Sequence, residues 1–457
     1  MNLQKKKNSV SIDTQNFNRR VMALVVPMAL QNLINVGVNA TDVIMLGKVG
    51  EKVLSGCSLA GQVLFILNLF LFGMTSGASV LTAQYWGKGN REAIEKILGI
   101  VIRLAETAGI AFMLITLVIP QHIMHIFTND PEVIAEGCKY LRIVAFTYPV
   151  TVFTMAYLNV MKSVEKVVIS TVVYASSLAL NFCINAVLIF GLFGAPALGI
   201  VGAAIGTLCA RLLELGIVLF YARRFNRDIK VRPGYILHMD KVLFRDFMHY
   251  SGPVIINELF WGVGYSANAA IVGHLGSSAV AANSVAHVCR QLAQVVVFGI
   301  GNATAIMIGK VIGEGRTDLA EEYGRRFVRL SFLGGICGGL LIFLIRPLII
   351  AGLSFEGQTA VYMNAFLCIM SYYVVAQALN TDLVVGVFRA GGDTRFGMIL
   401  DMSTMWFGSI LIGALAAFVF KWPVIAVYII LLSDEIIKLP FCFYRYRQKK
   451  WLANVTR

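Results

Sequence analysis

Apolar runs, each closed by a charge or a turn residue, follow one another along almost the whole chain. They fall at 21–46, 54–84, 97–119, 138–160, 168–192 and 197–221, and then at 247–272, 279–309, 327–352, 361–388, 397–419 and 424–444. A bilayer core offers no water to its backbone groups, so a spanning segment must bond internally, and about 20 residues of helix cover the thickness. The pattern predicts an all-α polytopic membrane protein with twelve transmembrane helices. Composition agrees: 58% of the 457 residues are hydrophobic and 14% charged, with a mean hydropathy of +0.74. A soluble domain carries about 45–50% apolar and about 25% charged residues, so neither a soluble fold nor a single anchor on a soluble domain fits. The first run is too long for a cleaved signal peptide and reads as the first span.

The longest connection, 222–246, is basic and divides the chain near its midpoint. Shifting the sequence by 226 aligns Pro27–Asn90 with the second half without a gap. Pro27 then falls on Pro253, Gly47 on Gly273, Gly50 on Gly276, Gly73 on Gly299, Gly87 on Gly313 and Gly89 on Gly315. Five of the nine glycines in this window meet a glycine, where a content of 42 in 457 gives less than one by chance. Further on, the register drifts by one and Met161-Lys162 falls on Phe388-Arg389. The halves read as a duplicated six-helix unit. Six spans is an even number, so the repeats are parallel, related by an axis along the membrane normal, and a substrate site is expected where they meet. The expected organisation is a tail (1–20), a lobe (21–221), the basic linker (222–246), a second lobe (247–445) and a tail (446–457).

The net charge of +14 invites a nucleic-acid reading until its distribution is examined. Thirty Lys and Arg fall in the two tails and the even-to-odd connections, and six in the odd-to-even ones. By the positive-inside rule both termini are cytoplasmic, and the charge needs no nucleic acid. In a bacterial cell this is a multi-pass inner-membrane topology, expected as a monomer. The eight cysteines form no CxxC pair and mostly sit in apolar runs, which fits small buried hydrophobes rather than a zinc site. No Walker A segment and no HExxH occurs, so an enzyme is not expected, nor any cofactor beyond a transported ion.

Charge at membrane depth is expensive, about +2.5 to +3.5 kcal/mol per residue on insertion scales, so each case is a functional candidate. Asp42 follows Asn32, Asn35 and Asn39 along the first run. It reads either as a helix-end carboxylate facing water or as an ion-binding group on a polar face. Asn181 and Asn185 share a face of the fifth run and are equally suited to bonding a neighbouring helix or offering carbonyl oxygens to a cation. Glu258 and Asp382 are flanked by apolar residues in the second half and are candidates to line a cavity. Arg211 with Glu214, and Glu435 with Lys438, are three apart and read as structural pairs near the cytoplasmic ends. Pro27 and Pro253 lie inside the first and seventh runs, where proline removes an i→i−4 bond; hinges and static kinks are both open.

The motifs VPMALQN (26–32), TDVIMLGKVG (41–50), the LNxxxNxxLIFG run (181–191) and GAAIGT (202–207), with PVIINELFWGVG and VFRAGGDTRF in the second half, resemble the multidrug and toxic compound extrusion (MATE) family, on its NorM-like side. The resemblance implies two six-helix lobes arranged as a V around a central cavity. It also implies export of organic cations or amphipathic drugs against inward Na⁺ or H⁺. Residue by residue, Asp42 matches the family's coupling carboxylate, with Asn181 and Thr207 as its polar partners. Asn185 stands where one branch has a second Asp. Glu258 and Asp382 each lie about one turn from their NorM-like counterparts. The alternative in the wider superfamily is a lipid-linked sugar flippase, which needs a cationic cavity for pyrophosphate.

Overall fold

Long strings of apolar residues give long helices, three of which carry a proline in their interior (Pro27, Pro253 and Pro347). The computed structural model describes residues 14–353 and 357–457. The first thirteen residues of the expected tail lie outside the described residues, as does the side chain of Asn39. The first six transmembrane elements are Thr14–Val49, Glu51–Lys88, Arg91–Val118, the pair Pro131–Val144 and Thr147–Ser163 (bent by 55°), Val168–Phe190 and Ile200–Arg224. The second six are Lys241–His274, Ser277–Gly313, Thr317–Leu353, Gly357–Asn380 running on into a π-helical Thr381–Phe388, Thr394–Ser403 continuing with π-helical turns to Val419, and the broken helix Val424–Leu431 and Asp434–Arg447. The twelve-helix, two-lobe architecture is therefore the one the hydropathy pattern predicts. Helix ends follow local chemistry. Gly89 closes the second helix in a left-handed conformation (φ 77°), Asn90 caps the third by accepting from the Ala93 N–H at 3.1 Å, and Asp240 caps the seventh through Val242 and Leu243.

The first and seventh helices each serve both lobes. Phe17, Val21, Leu24 and Met28 pack into a core with Ile300, Phe327 and Phe388 of the second lobe, whereas Met45 and Leu46 belong to the first-lobe core. In mirror fashion, Leu243 and Phe247 pack in the first-lobe core and Ile271 and Val272 in the second. Pro27 and Pro253 sit at these two crossovers.

The lobes press together on the side where the described chain begins and ends. A Cβ on Gly73 would come within 2.7 Å of Ile255 Cα. Gly87 abuts the Lys310 carbonyl, and its repeat counterpart Gly313 abuts the Gln84 carbonyl. Gln84 and Lys310 are themselves 226 apart, so the contact is self-complementary about the pseudo-two-fold axis. Gly313→Val should force the lobes apart, and we expect loss of transport with normal membrane insertion, read by vesicle efflux alongside a topology reporter.

The C-terminal segment is part of this seal. Helix runs to Arg447, and residues 451–457 then lie across the junction. The fully buried Gln84 amide donates to Ala390 O (2.7 Å) and Ala453 O (3.1 Å) and accepts from the Val455 N–H (2.8 Å). Arg457 donates to Asp246 at 2.8 Å, and Trp451 is fully buried. A buried amide needs partners, and the segment supplies them. Trp451→Ala, a large core truncation, should lower the Tm of purified protein by several degrees.

Two cations assigned to loops by the sequence pattern are instead internal. Arg389 is 4% exposed, and Lys162 is half-buried in a cavity wall. The helices run beyond the apolar runs, and both residues lie within them or at their ends. The 30-to-6 asymmetry tolerates the loss of two.

Candidate coupling and substrate sites

In the first lobe, the fifth helix presents Asn181 and Asn185 one turn apart, both buried. The Asn185 side-chain N–H₂ donates to Asp42 Oδ1 at 2.7 Å and to Asn181 Oδ1 at 3.1 Å. Gly206 of the sixth helix leaves room for this amide, since any side chain there would collide with Asn185 Oδ1. Thr207 stands one step away, against the Tyr140 hydroxyl, which also meets Cys57. The structure thus gathers Asp42, Asn181 and Asn185, with Thr207 joined through Tyr140.

Arg211 is close enough for its charge to act on Asp42, but both of its bonds, 2.7 and 2.9 Å, go to the Glu214 carboxylate. Among the described residues Asp42 has no ion-pair partner. Arg211 is therefore not a helix-end residue as its spacing predicts; it lies near the middle of Ile200–Arg224.

Between the lobes, outward of the seal, lies a cavity of about 310 Å³ bounded by Asn32, Phe72, Glu258, Trp261, Asn302 and Val385 among others. A second space of about 200 Å³ adjoins it, sharing Asn32, Phe72, Asn302 and Val385 and reaching Lys162. Glu258 faces the main cavity. Its carboxylate accepts from Arg389 at 2.8 Å, and the same guanidinium donates to Ser76 Oγ of the first lobe at 2.8 Å. Arg389 is thus a strut between lobes.

Asp382 does not line the cavity. It is fully buried and accepts from Thr304 Oγ1 at 2.6 Å, with Oδ2 lacking a partner among the described residues. The cause is the π-helical turn 381–388, which changes the facing of successive residues, so Thr381, Val384 and Val385 reach the cavity instead.

The cavity holds a second charged group that sequence spacing misread. Lys438 Nζ lies 3.2 Å from Asp401, 3.3 Å from Asp434 and 3.2 Å from Glu435. Asn257 donates to Asp401 at 2.9 Å and Asn380 to Glu435 at 2.7 Å. Lys438, Glu435 and Asp401 border the cavity, so the expected Glu435–Lys438 pair is present but faces the cavity instead of standing near a cytoplasmic end. Asp401, an acid within the 397–419 run, was the available signal.

Residues 27–187 and 253–415 each match the MatE family, the two matches opening on Pro27 and Pro253. Among curated proteins, the chain is 25% identical to the probable multidrug resistance protein NorM of Rhizobium meliloti (strain 1021), covering 89% of this chain and 87% of that one. It is 23% identical to the probable multidrug resistance protein YoeA of Bacillus subtilis (strain 168) (85% and 84% covered) and 23% identical to the multidrug resistance protein MdtK of Pectobacterium atrosepticum (85% of each). Among solved structures, it superposes on a MATE protein in a bent conformation with a TM-score of 0.86 at 15% identity, covering 95% of each chain. A MOP superfamily transporter from Pyrococcus furiosus matches with a TM-score of 0.85 at 15% identity, covering 94% of this chain and 95% of that one. Two matched halves, a self-complementary seal and a central cavity make the conclusion plain: the chain belongs to the MATE family of transporters and is of the NorM-like type.

Proposed function

We propose that the chain exports cationic and amphipathic drugs across the inner membrane in exchange for inward Na⁺ or H⁺. The observation that carries the reading is Asp42, a carboxylate at membrane depth held by a neutral amide and, among the described residues, by no ion-pairing cation. A charge so placed, without an ion-pair partner, is poised to take an ion from outside. The relatives named for multidrug resistance support drugs as cargo. Asn181, Asn185 and Thr207 form the polar surround of the ion, and Glu258 lines the drug cavity. The lobes, 21–221 and 247–445 joined by 222–246, rock about Pro27 and Pro253. Each proline interrupts backbone bonding where its helix passes from one core to the other, which is the place a hinge must be. Both termini are cytoplasmic, and a monomer with no nucleic-acid partner suffices.

Reconstituted protein should expel an ethidium-like dye when a Na⁺ or a pH gradient is imposed separately, one of the two sufficing. Expulsion under neither gradient would overturn the reading. The flippase alternative has one observation in its favour: Lys162, bordering the smaller space, has no acidic partner among the described residues. A phosphate-bearing lipid that binds where the dye does not would select it.

A further inference from the structure

The sixth helix of each lobe brings one cation to that lobe's acids, and the two lobes use it in opposite ways. In the first lobe Arg211 is taken up by Glu214 of its own helix, and Asp42 is left with an amide. In the second lobe the charges along the helix are reversed, and Lys438 reaches three carboxylates at once. They come from two helices, and the Lys438 side chain is only 5% exposed.

The placement has a structural cause. The twelfth span breaks after Leu431 and restarts at Asp434, so Asp434 and Glu435 occupy the first turn of a helix, where its dipole favours negative charge. Lys438, one turn on, lies at i+4 from Asp434 and i+3 from Glu435 and meets Asp401 from the eleventh helix. Amides from Asn257 and Asn380 take up further lone pairs. Three carboxylates converging on one point resemble a cage for a hard cation, and that point is occupied by a side chain. The ammonium lies 3.2–3.3 Å from the three carboxylates, a hydrogen-bond rather than a metal-ligand distance.

We propose that Lys438 is a tethered counter-ion that fills the second-lobe cluster of Asp401, Asp434 and Glu435 in place of an inorganic cation, so that this cluster takes no part in ion coupling, which is left to Asp42 of the first lobe. The inference rests on the reading of Asp42 as the coupling group. Three acids against one ammonium leave the cluster net negative. That residual field attracts a bulky organic cation in the cavity, which needs no coordination shell, while the compact position an inorganic ion would take is filled.

The test uses purified full-length protein with Asp42→Asn in every sample, so that the second lobe is observed alone. Thermal stability and ²²Na⁺ binding are measured in Na⁺ against choline. Asp42→Asn with Lys438 intact should give no saturable binding and no Na⁺-dependent shift. Adding Lys438→Met should create a saturable site and raise the Tm by about 5 °C between choline and saturating Na⁺. Lys438→Arg in its place should create none, and Asp401→Asn added to Lys438→Met should abolish the new site. Saturable Na⁺ binding by Asp42→Asn itself overturns the proposal, as does a folded Lys438→Met protein that gains no binding. If Lys438→Met does not fold, Lys438→Ala takes its place with the same expected and overturning results. Failure of the Asp42 reading would show separately, as ion-driven transport persisting in Asp42→Asn.

Discussion

Asp42→Asn should abolish concentrative export while leaving a folded, inserted protein. The substitution keeps the side chain's shape and its ability to face the Asn185 amide, and removes the charge on which an ion or proton depends. No ion pair is broken, since among the described residues Asp42 has none, so no buried partner is left uncompensated. The energetic consequence is large. One coupled elementary charge moving inward contributes about 2.3 kcal/mol per 100 mV, which corresponds to about a 50-fold drug gradient. The variant should still bind drug and let it equilibrate, but its steady-state dye gradient in energised vesicles should fall to that of empty vesicles. Wild-type efflux from a variant present at wild-type levels would reduce Asp42 to a polar helix-end residue. Asn185→Ala should fall between the two, because it removes the amide and keeps the charge.

The lobes were legible in the sequence for a physical reason: lipid imposes one rule on every span, and duplication left five glycines in register. One of these pairs, Gly87 with Gly313, proves to be a point where the lobes touch. The first-lobe site was legible too, because Asn181 and Asn185 lie in a regular helix where an i, i+4 spacing means a shared face. The second-lobe site was obscured by three things that spacing does not encode. The helices are longer than the bilayer: 38 residues in the second rise about 57 Å against a core of about 30 Å, so position in a run does not give depth. Arg389 therefore read as a loop cation, and Glu435 with Lys438 as a helix-end pair. π-helical turns at 381–388 and 404–410 change the facing of residues, and Asp382 left the expected face. The break at Leu432-Ser433 places Asp434 and Glu435 in the first turn of a new helix, with Glu435 and Lys438 beside the cavity rather than at a cytoplasmic end.

Glu258→Gln should weaken binding of cationic drugs by about 10- to 100-fold while changing neutral analogues by less than about threefold. The argument begins with Arg389. In the native protein its guanidinium is neutralised by Glu258 and anchored to Ser76, so the pair presents the cavity with little net charge. Removing the carboxylate's charge does two things at once. It deletes an attraction for a cationic ligand, and it exposes that ligand to an uncompensated arginine on the same wall. A unit charge about 6 Å away, at an effective dielectric constant of about 20, changes the interaction by about 2.8 kcal/mol. Water in the cavity reduces this, which sets the lower end of the range. A neutral ligand experiences neither effect. The reciprocal variant, Arg389→Met, leaves a buried carboxylate unpaired and removes the strut to the first lobe; breaking a buried pair in this way costs about 3–5 kcal/mol, so its first consequence should be a lower Tm and poor yield. Combining the two, Glu258→Gln with Arg389→Met, removes both charges and should recover the Tm lost in Arg389→Met. It should also bring cationic and neutral affinities closer together than in Glu258→Gln alone. The measurement is the Kd of purified protein across a charge series of otherwise similar dyes. Equal losses for neutral and cationic members in Glu258→Gln would mean that the carboxylate acts by holding Arg389 in place, and that the drug is recognised by the apolar walls at Phe72 and Trp261 and by the acids around Lys438.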